Sequence, residues 1–442
     1  MKKILTIIMA LALVAAVAVG LVACGNSDIK DATEVELPAL TLTPDMDYSS
    51  LPDLSNFKIG MICLHGTEST YDLNFINAAK AAVKALGMSE SQLIIKTGIA
   101  EGEACYTTAI DLVKNRKCNV IFADSFGHEE YMIRAARECA AEEEYSGVQF
   151  CHATGYMAAL DENADLSNFH NAFASIYEGR FLAGIAAGMK LYEMNKGKAA
   201  DQQNYKMGYV GAWTYAEVIS GYTSFFLGAK YALNQKEAGL GDKLTMDVKF
   251  TGSWFDITAE KNAANALINR GCALISQHAD SMGAPSACEA AGVPNVSYNG
   301  STIASCPNTF LVSSRIDWTP YVKYIIAKTA KGEAFGTNYT GTLKNGSVAL
   351  TALNGDAIAE GTVDAIVAAR AKLIDGTLKV FDTSTFTVGG SALTTADDAL
   401  VHDGAYNESS VVSAPSFDKE IDGIKLLNRF YSAEQGEIVV EE

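Results

Sequence analysis

The sequence predicts an α/β protein built from two doubly wound, parallel-sheet lobes. Three observations carry that prediction. Short apolar runs of strand length alternate with stretches of helical periodicity, at the spacing of βαβ units. The alternation runs through one series and begins again at Lys206-Met207-Gly208-Tyr209-Val210-Gly211. The chain is 442 residues long, 49% hydrophobic and 19% charged, which is enough apolar material to bury large cores.

In the first series strand-like Lys58–Leu64 precedes helix-like Phe75–Leu86, Leu93–Lys96 precedes Ala104–Lys114, and Val120–Ala123 precedes Tyr131–Ala141. Val148–His152 follows, and then a long helix of small residues, Ala172–Leu191. In the second series Lys206–Gly211 leads to helix Ala216–Asn234, Leu244–Thr251 to Ala259–Asn269, and Ala273–Ser276 to Ala284–Ala291, ending with Asn295–Tyr298. The lobes are thus expected over 57–175 and 205–310. Residues 384–442, rich in Ser, Thr, Asp and Gly, read as an elaboration strapped over one lobe.

The start of the chain has separate physics. Lys2 and Lys3 precede an apolar run from Ile4 to Ala23, about the minimum for spanning a bilayer, so a permanent anchor is one reading. The run ends in Leu21-Val22-Ala23-Cys24-Gly25, which resembles a bacterial lipobox. On that reading residues 1–23 are a lipoprotein signal peptide, Cys24 is lipidated, and the body lies outside the cytoplasm, anchored to the membrane. Residues 24–56 then form a flexible stalk reaching roughly 100 Å if extended.

The formal net charge is −18, and loss of Lys2 and Lys3 with the leader takes it to −20. No basic excess exists to displace counterions from nucleic acid or to hold an anionic lipid surface. The cysteines beyond Cys24 form no C-x-x-C pair, and several sit in apolar runs such as Ile62-Cys63-Leu64. They read as small buried hydrophobes, with disulfides as the alternative in an exported protein.

No G-x-S-x-G, P-loop or G-x-G-x-x-G occurs. His128-Glu129-Glu130-Tyr131-Met132 lacks the second histidine of a zinc helix. Neither catalysis, metal nor cofactor is expected. A hydrolase using a carboxylate pair is the rival from another class, since acids are plentiful. A sensor or adhesin is a third.

In parallel sheets ligands collect at the carboxyl ends of strands. The residues there include Asp72, Ser125, Phe126, Trp213, Trp254, His278, Asp280 and Asn299. Aromatic, amide and carboxylate groups with few cations suit a flat heterocycle that stacks and hydrogen-bonds, not a phosphate. Phe75 and Trp213 are expected to flank the ring while Asp280 accepts its N–H groups. His278, like His152, has the alternative of a core histidine.

Five stretches carry a resemblance: Phe150–Tyr156, Tyr177–Arg180, Ser253–Asp256, Gln277–Ser281 and Asp317–Tyr321. Along them the chain resembles the basic membrane protein family of substrate-binding lipoproteins, nearest its purine-binding branch. The resemblance implies a type I periplasmic-binding fold whose chain crosses between lobes three times, near 170–205, 300–315 and in the C-terminal part. Residues 311–383 would be a return segment across the lobes. It implies a monomer that captures a purine base or nucleoside and delivers it to an ABC permease. Asp72-Leu73-Asn74-Phe75 resembles the family's Asp-x-x-aromatic turn, and Tyr177 joins the cleft candidates. Asn299 and Ile316 stand where the nucleoside-binding branch usually has Asp and Lys, which favours a free base.

Overall fold

The computed structural model describes residues 32–440; the lipobox and Cys24 lie outside the described residues. Strands β1 (Ile59–Ile62), β2 (Leu93–Lys96), β3 (Val120–Ala123), β4 (Gln149–Ala153) and β5 (Phe169–Ala174) belong to the first lobe. The second lobe contains β6 (Lys206–Gly211), β7 (Thr245–Phe250), β8 (Leu274–Gln277), β9 (Asn295–Tyr298) and β10 (Phe310–Ile316). Strand β11 (Asn338–Gly341) returns to the first sheet, while β12 (Val348–Leu350) and β13 (Ile424–Leu426) complete the second.

The first sheet has the order 11-5-4-3-1-2 and is parallel throughout. The second has the order 12-10-9-8-6-7-13, with β12 alone antiparallel. Both contain the doubly wound 2-1-3-4-5 pattern, whose switch points lie between β1 and β3 and between β6 and β8. Every residue of β1, β3 and β8 is buried, as strands covered by helices on both faces must be.

Nine helices are described: α1 (Thr70–Ala85), α2 (Glu103–Lys114), α3 (Glu129–Ala140), α4 (Ile176–Asn195), α5 (Ala216–Lys236), α6 (Ile257–Asn269), α7 (Gly283–Ala291), α8 (Thr319–Lys331) and α9 (Thr362–Asp375). Helix α1 begins five residues before the expected Phe75, because the Ser69 hydroxyl accepts the Asp72 N–H at 3.2 Å and caps it. The expected helix Ala172–Leu191 divides: its first residues end β5 and the rest belongs to α4. Phe169–Ala174 is buried on both faces, and its Ala, Asn and His lack the branched residues that mark a strand. The small residues of α4 have a different role. A Cβ on Gly184 would lie 2.1 Å from the Phe225 carbonyl oxygen, and one on Gly228 2.0 Å from that of Phe181. Helices α4 and α5 therefore meet backbone against backbone.

The chain crosses between lobes three times: between β5 and α4, between β10 and α8, and between β11 and β12. The second crossing lies just past the expected 300–315. The first and third are bonded together. Ser175 donates its N–H to Gly341 O at 2.8 Å and its hydroxyl to Glu178 at 2.6 Å, and Glu178 also accepts the Leu343 N–H at 3.4 Å.

Residues 32–56 correct the picture of a free stalk. Glu34 and Val35 pair antiparallel with Asn354 and Leu353, Arg370 donates to Pro38 O at 2.6 Å, and Tyr339 donates to Asp45 at 2.8 Å. Leu37 packs on the core, so this polar-looking segment has enough anchors to lie along the body. In the C-terminal elaboration, β13 extends the second sheet and fully buried Phe417 stacks on Phe381 at 4.5 Å. The eight described cysteines are free and buried.

Candidate ligand-binding site

A cavity lies between the lobes, at the carboxyl ends of both sheets. The first lobe supplies His65, Tyr71 and Asp72 from the β1–α1 connection, Ser125 and Phe126 after β3, and Thr154 after β4. The second supplies Glu217 from the first turn of α5, Trp254 after β7, His278 and Asp280 after β8, and Tyr298 at the end of β9. Thr154 holds φ +70°, a strained conformation for a β-branched residue, and this turns the chain at the cavity wall.

Six of the expected residues line this space: Asp72, Ser125, Phe126, Trp254, His278 and Asp280. Asn299 stands behind them and donates to Asp280 Oδ1 at 3.5 Å. Three are placed elsewhere. Phe75 lies one turn below the cavity, fully buried and stacked on Trp318 at 4.5 Å, and its ring supports Tyr71 at 4.9 Å. Trp213 turns away to stack on Tyr215 at 5.9 Å and to meet Phe430 edge-on. Tyr177 packs on Phe381 beneath the C-terminal elaboration. Sequence reasoning missed Tyr71 and Glu217, which sit in the first turns of α1 and α5. The signal was available, because helix N-termini follow strand ends and face the same crevice.

The electrostatics divide the acids. Burial alone would raise Asp72, but the hydrogen bonds from His65 and Ser69 outweigh it and hold the carboxyl below its ordinary value. Asp280 is pushed well upward by burial and then by Glu260, Asp72 and Glu217. The sequence casts Asp280 as a carboxylate acceptor; burial among other acids favours its protonated form, which offers one donor beside one acceptor. Burial and the adjacent Arg180 guanidinium lower His278 to about 4, so its ring is neutral. Arg180 lies 3.4 Å over the Tyr298 ring and donates to Gln277 O at 2.8 Å, bracing the cavity floor.

Among the described residues, one group has metal-ligand character: Cys63, Asp72 and Asp124, all buried, with ligand atoms within 4.8 Å of one another. Burial drives the Cys63 thiol and the Asp124 carboxyl upward, and the two carboxyl groups already accept main-chain N–H groups, Asp124 from Leu64 at 3.1 Å and Asp72 from His65 at 2.8 Å. No nucleophile is activated at Ser125. Its hydroxyl donates to Glu101 at 2.6 Å, and His152 Nε2 donates to its main-chain carbonyl at 2.7 Å instead.

The lobes touch across this cavity. Thr70 donates its hydroxyl to Asp280 O at 3.1 Å, His65 meets Phe255 at 5.2 Å, and Phe126 meets Tyr215 at 6.0 Å. A two-lobed crevice with both switch points facing one shared cavity is suited to holding a small solute between the lobes. Residues 60–384 match the family described as Bmp, ABC transporter substrate-binding protein PnrA-like. The chain belongs to that family.

Two relatives are similar over part of the chain. A putative ABC transporter glucose-binding protein of Haloferax volcanii is 28% identical over 268 residues, 61% of this chain and 60% of the relative. A purine-binding protein of Brucella abortus is 30% identical over 244 residues, 55% of this chain and 60% of the relative. The matches thus span about 60% of each relative's length. Among solved structures, an ABC transporter solute-binding protein of Aeropyrum pernix has a TM-score of 0.57 at 17% identity, covering 74% of this chain and 93% of its own. One from Conexibacter woesei gives 0.54 at 20% identity, covering 73% and 98%. These identities speak for the periplasmic-binding fold alone. No described helix is long and apolar enough to cross a membrane.

Proposed function

We propose that this Bmp-family protein is an extracytoplasmic receptor, lipidated at Cys24, that captures a purine-like heterocycle and delivers it to an ABC importer. The observation that carries the reading is the cavity's composition. Tyr71, Phe126 and Trp254 offer aromatic rings, while Asp280, whose burial favours the protonated form, would set a donor beside an acceptor. A purine edge alternates N–H and ring nitrogen in the same way, so one base satisfies both atoms of the acid. The purine-binding relative supports this ligand class. Ligand contacts to both lobes would favour the closed state, and release would follow opening at the permease.

The glucose-binding name of the other relative gives a second reading, since carboxyl groups and rings also hold a sugar. Mass spectrometry of small molecules released from natively purified protein separates the two. A purine in near-stoichiometric amount is expected. Recovery of a hexose in its place would sink the purine assignment, and intact mass without acyl chains from a lipoprotein-competent host would sink the anchor.

A further inference from the structure

Two described segments lie outside the matched family region of residues 60–384: the N-terminal stretch 32–56 and the C-terminal elaboration. Both reach the same strand beside the hinge. The N-terminal stretch is fixed first to the second lobe. Thr33 O accepts the Gly355 N–H at 2.7 Å, Val35 pairs with Leu353, and Arg370 of α9 holds Pro38 O. It then runs along the third crossing, where Thr43 donates its N–H to Lys344 O at 2.9 Å. It ends on the first lobe, with Lys323 of α8 4.2 Å over the Tyr48 ring and Gln92 donating to Leu54 O at 2.6 Å. A fourth span of chain thus joins the lobes, with only residues 39–44 between its attachments at Pro38 and Asp45.

The grip on the first lobe is made by Asp45. Its two oxygens accept from Tyr339 on β11 and from Asn345 in the β11–β12 connection, each at 2.8 Å. Asn345 also accepts the N–H groups of Thr342 and Ser347 at 3.0 Å, so the same node shapes the connection itself. Successive residues of a strand face opposite sides of its sheet, and Asn338, the neighbour of Tyr339, is held as well. Its side-chain oxygen accepts the N–H and hydroxyl of Ser413 at 3.3 and 3.4 Å. Ser413 belongs to the elaboration, which β13 and the hydrogen bonds between Thr214 and Phe430 seat on the second lobe. An edge strand of the first lobe is therefore gripped on both faces by segments fixed to the second.

These bonds are made with the lobes in contact at Thr70 and Asp280. Rotation of one lobe against the other turns the β11–β12 connection and moves β11 relative to both attachments. Opening must strain residues 39–44 or break these hydrogen bonds. We propose that the N-terminal stretch and the C-terminal elaboration form a two-sided clasp on β11 that stiffens the hinge and holds the ligand-free protein toward its closed geometry. Asp45 and Asn338 are positioning residues, for neither lines the cavity. A ligand then meets lobes already near their bound arrangement, and less of its binding energy is spent on closure.

Small-angle scattering and hydrogen exchange on the ligand-free protein test the clasp independently of what the cavity binds. The variants are Asp45→Ala, Asn338→Ala and the two combined. Asp53→Ala, whose carboxylate accepts the N–H and hydroxyl of nearby Ser55, is the control on the same stretch. Thermal melts establish that all four fold. Each clasp variant should speed exchange at residues 338–347 by about tenfold, as expected for two lost hydrogen bonds. Each should also enlarge the radius of gyration, the combined variant most, while Asp53→Ala matches wild type. Wild-type exchange and radius in both single variants would overturn the clasp. So would faster exchange with an unchanged radius, an equal change in Asp53→Ala, or exchange raised uniformly across both sheets.

Discussion

The hydroxyl of Thr70, in the first turn of α1, donates to the main-chain carbonyl of Asp280 at 3.1 Å, joining the two lobes beside the cavity. On the same seam, a Cβ added to Gly300 would stand 3.1 Å from Thr70 Cβ and Cγ2. Closure therefore brings main chain of the second lobe within contact distance of the first helix of the other. A ligand that touches Tyr71 and Asp280 at once shifts the population toward this geometry.

Gly300→Val should hold the lobes apart. Affinity is expected to fall about tenfold or more, the free energy of a small steric clash in a packed seam. The ligand-dependent contraction seen by small-angle scattering should shrink with it. Thr70→Val removes only one hydrogen bond and should cost about 0.5–1.5 kcal/mol. Wild-type contraction in the Gly300 variant would show that the seam does not govern closure.

Asp280→Asn and Asp280→Ala separate a neutral acid from a carboxylate. Asn keeps one donor and one acceptor, so affinity and ranking among bases should stay near wild type. Ala should lose about 1–3 kcal/mol for the preferred base and less for a poor one. Wild-type affinity should fall as pH rises through the raised pKa of Asp280, while the Asn variant stays flat. An Asn variant as damaged as Ala would mean that the ligand needs the charge.

The strand-end rule found both faces of the cavity because parallel sheets wound at this spacing leave one crevice for each lobe. It could not say which way a side chain turns after its strand. Trp213 follows β6 as Trp254 follows β7, yet Trp213 is captured by Tyr215 and by Phe430, a partner over two hundred residues away. Phe75 shares a helix face with Tyr71, four residues earlier, and spacing alone does not tell which of the two reaches the cavity. Ser69 fixes the start of α1 and so makes Tyr71 the upper ring. Strand β5 was hidden for a related reason: its Ala and Asn residues gain their conformation from neighbours β4 and β11, not from propensity.

Glu260 is fully buried, and burial raises its carboxyl from 4.5 to about 7. A raised acid binds its proton more tightly folded than unfolded. Its contribution to stability is complete below about pH 4.5 and is lost as pH rises through about 7. Glu260→Gln, whose amide oxygen can still accept the Asp256 and Ser281 N–H groups, should remove on the order of 3 kcal/mol of that pH dependence. Thermal melts across the interval measure it; an unchanged slope would place the titration elsewhere.

The C-terminal elaboration depends on its own small core. Phe417→Ala deletes a fully buried ring stacked on Phe381 and edge-on to Tyr406, and should cost about 3–5 kcal/mol. Hydrogen exchange should show the loss first in residues 381–421, with the sheets of both lobes still protected. Uniform loss across both lobes would instead make this segment part of the main folding unit.

The most direct measurement is titration calorimetry of the wild-type protein with adenine, guanine, hypoxanthine, their nucleosides and glucose. At least one purine compound should bind one-to-one with a dissociation constant of about 1 μM or tighter, be recovered chemically unchanged, and outcompete glucose. Binding of glucose with no heat from any purine would contradict the account, and so would consumption of the purine by the pure protein.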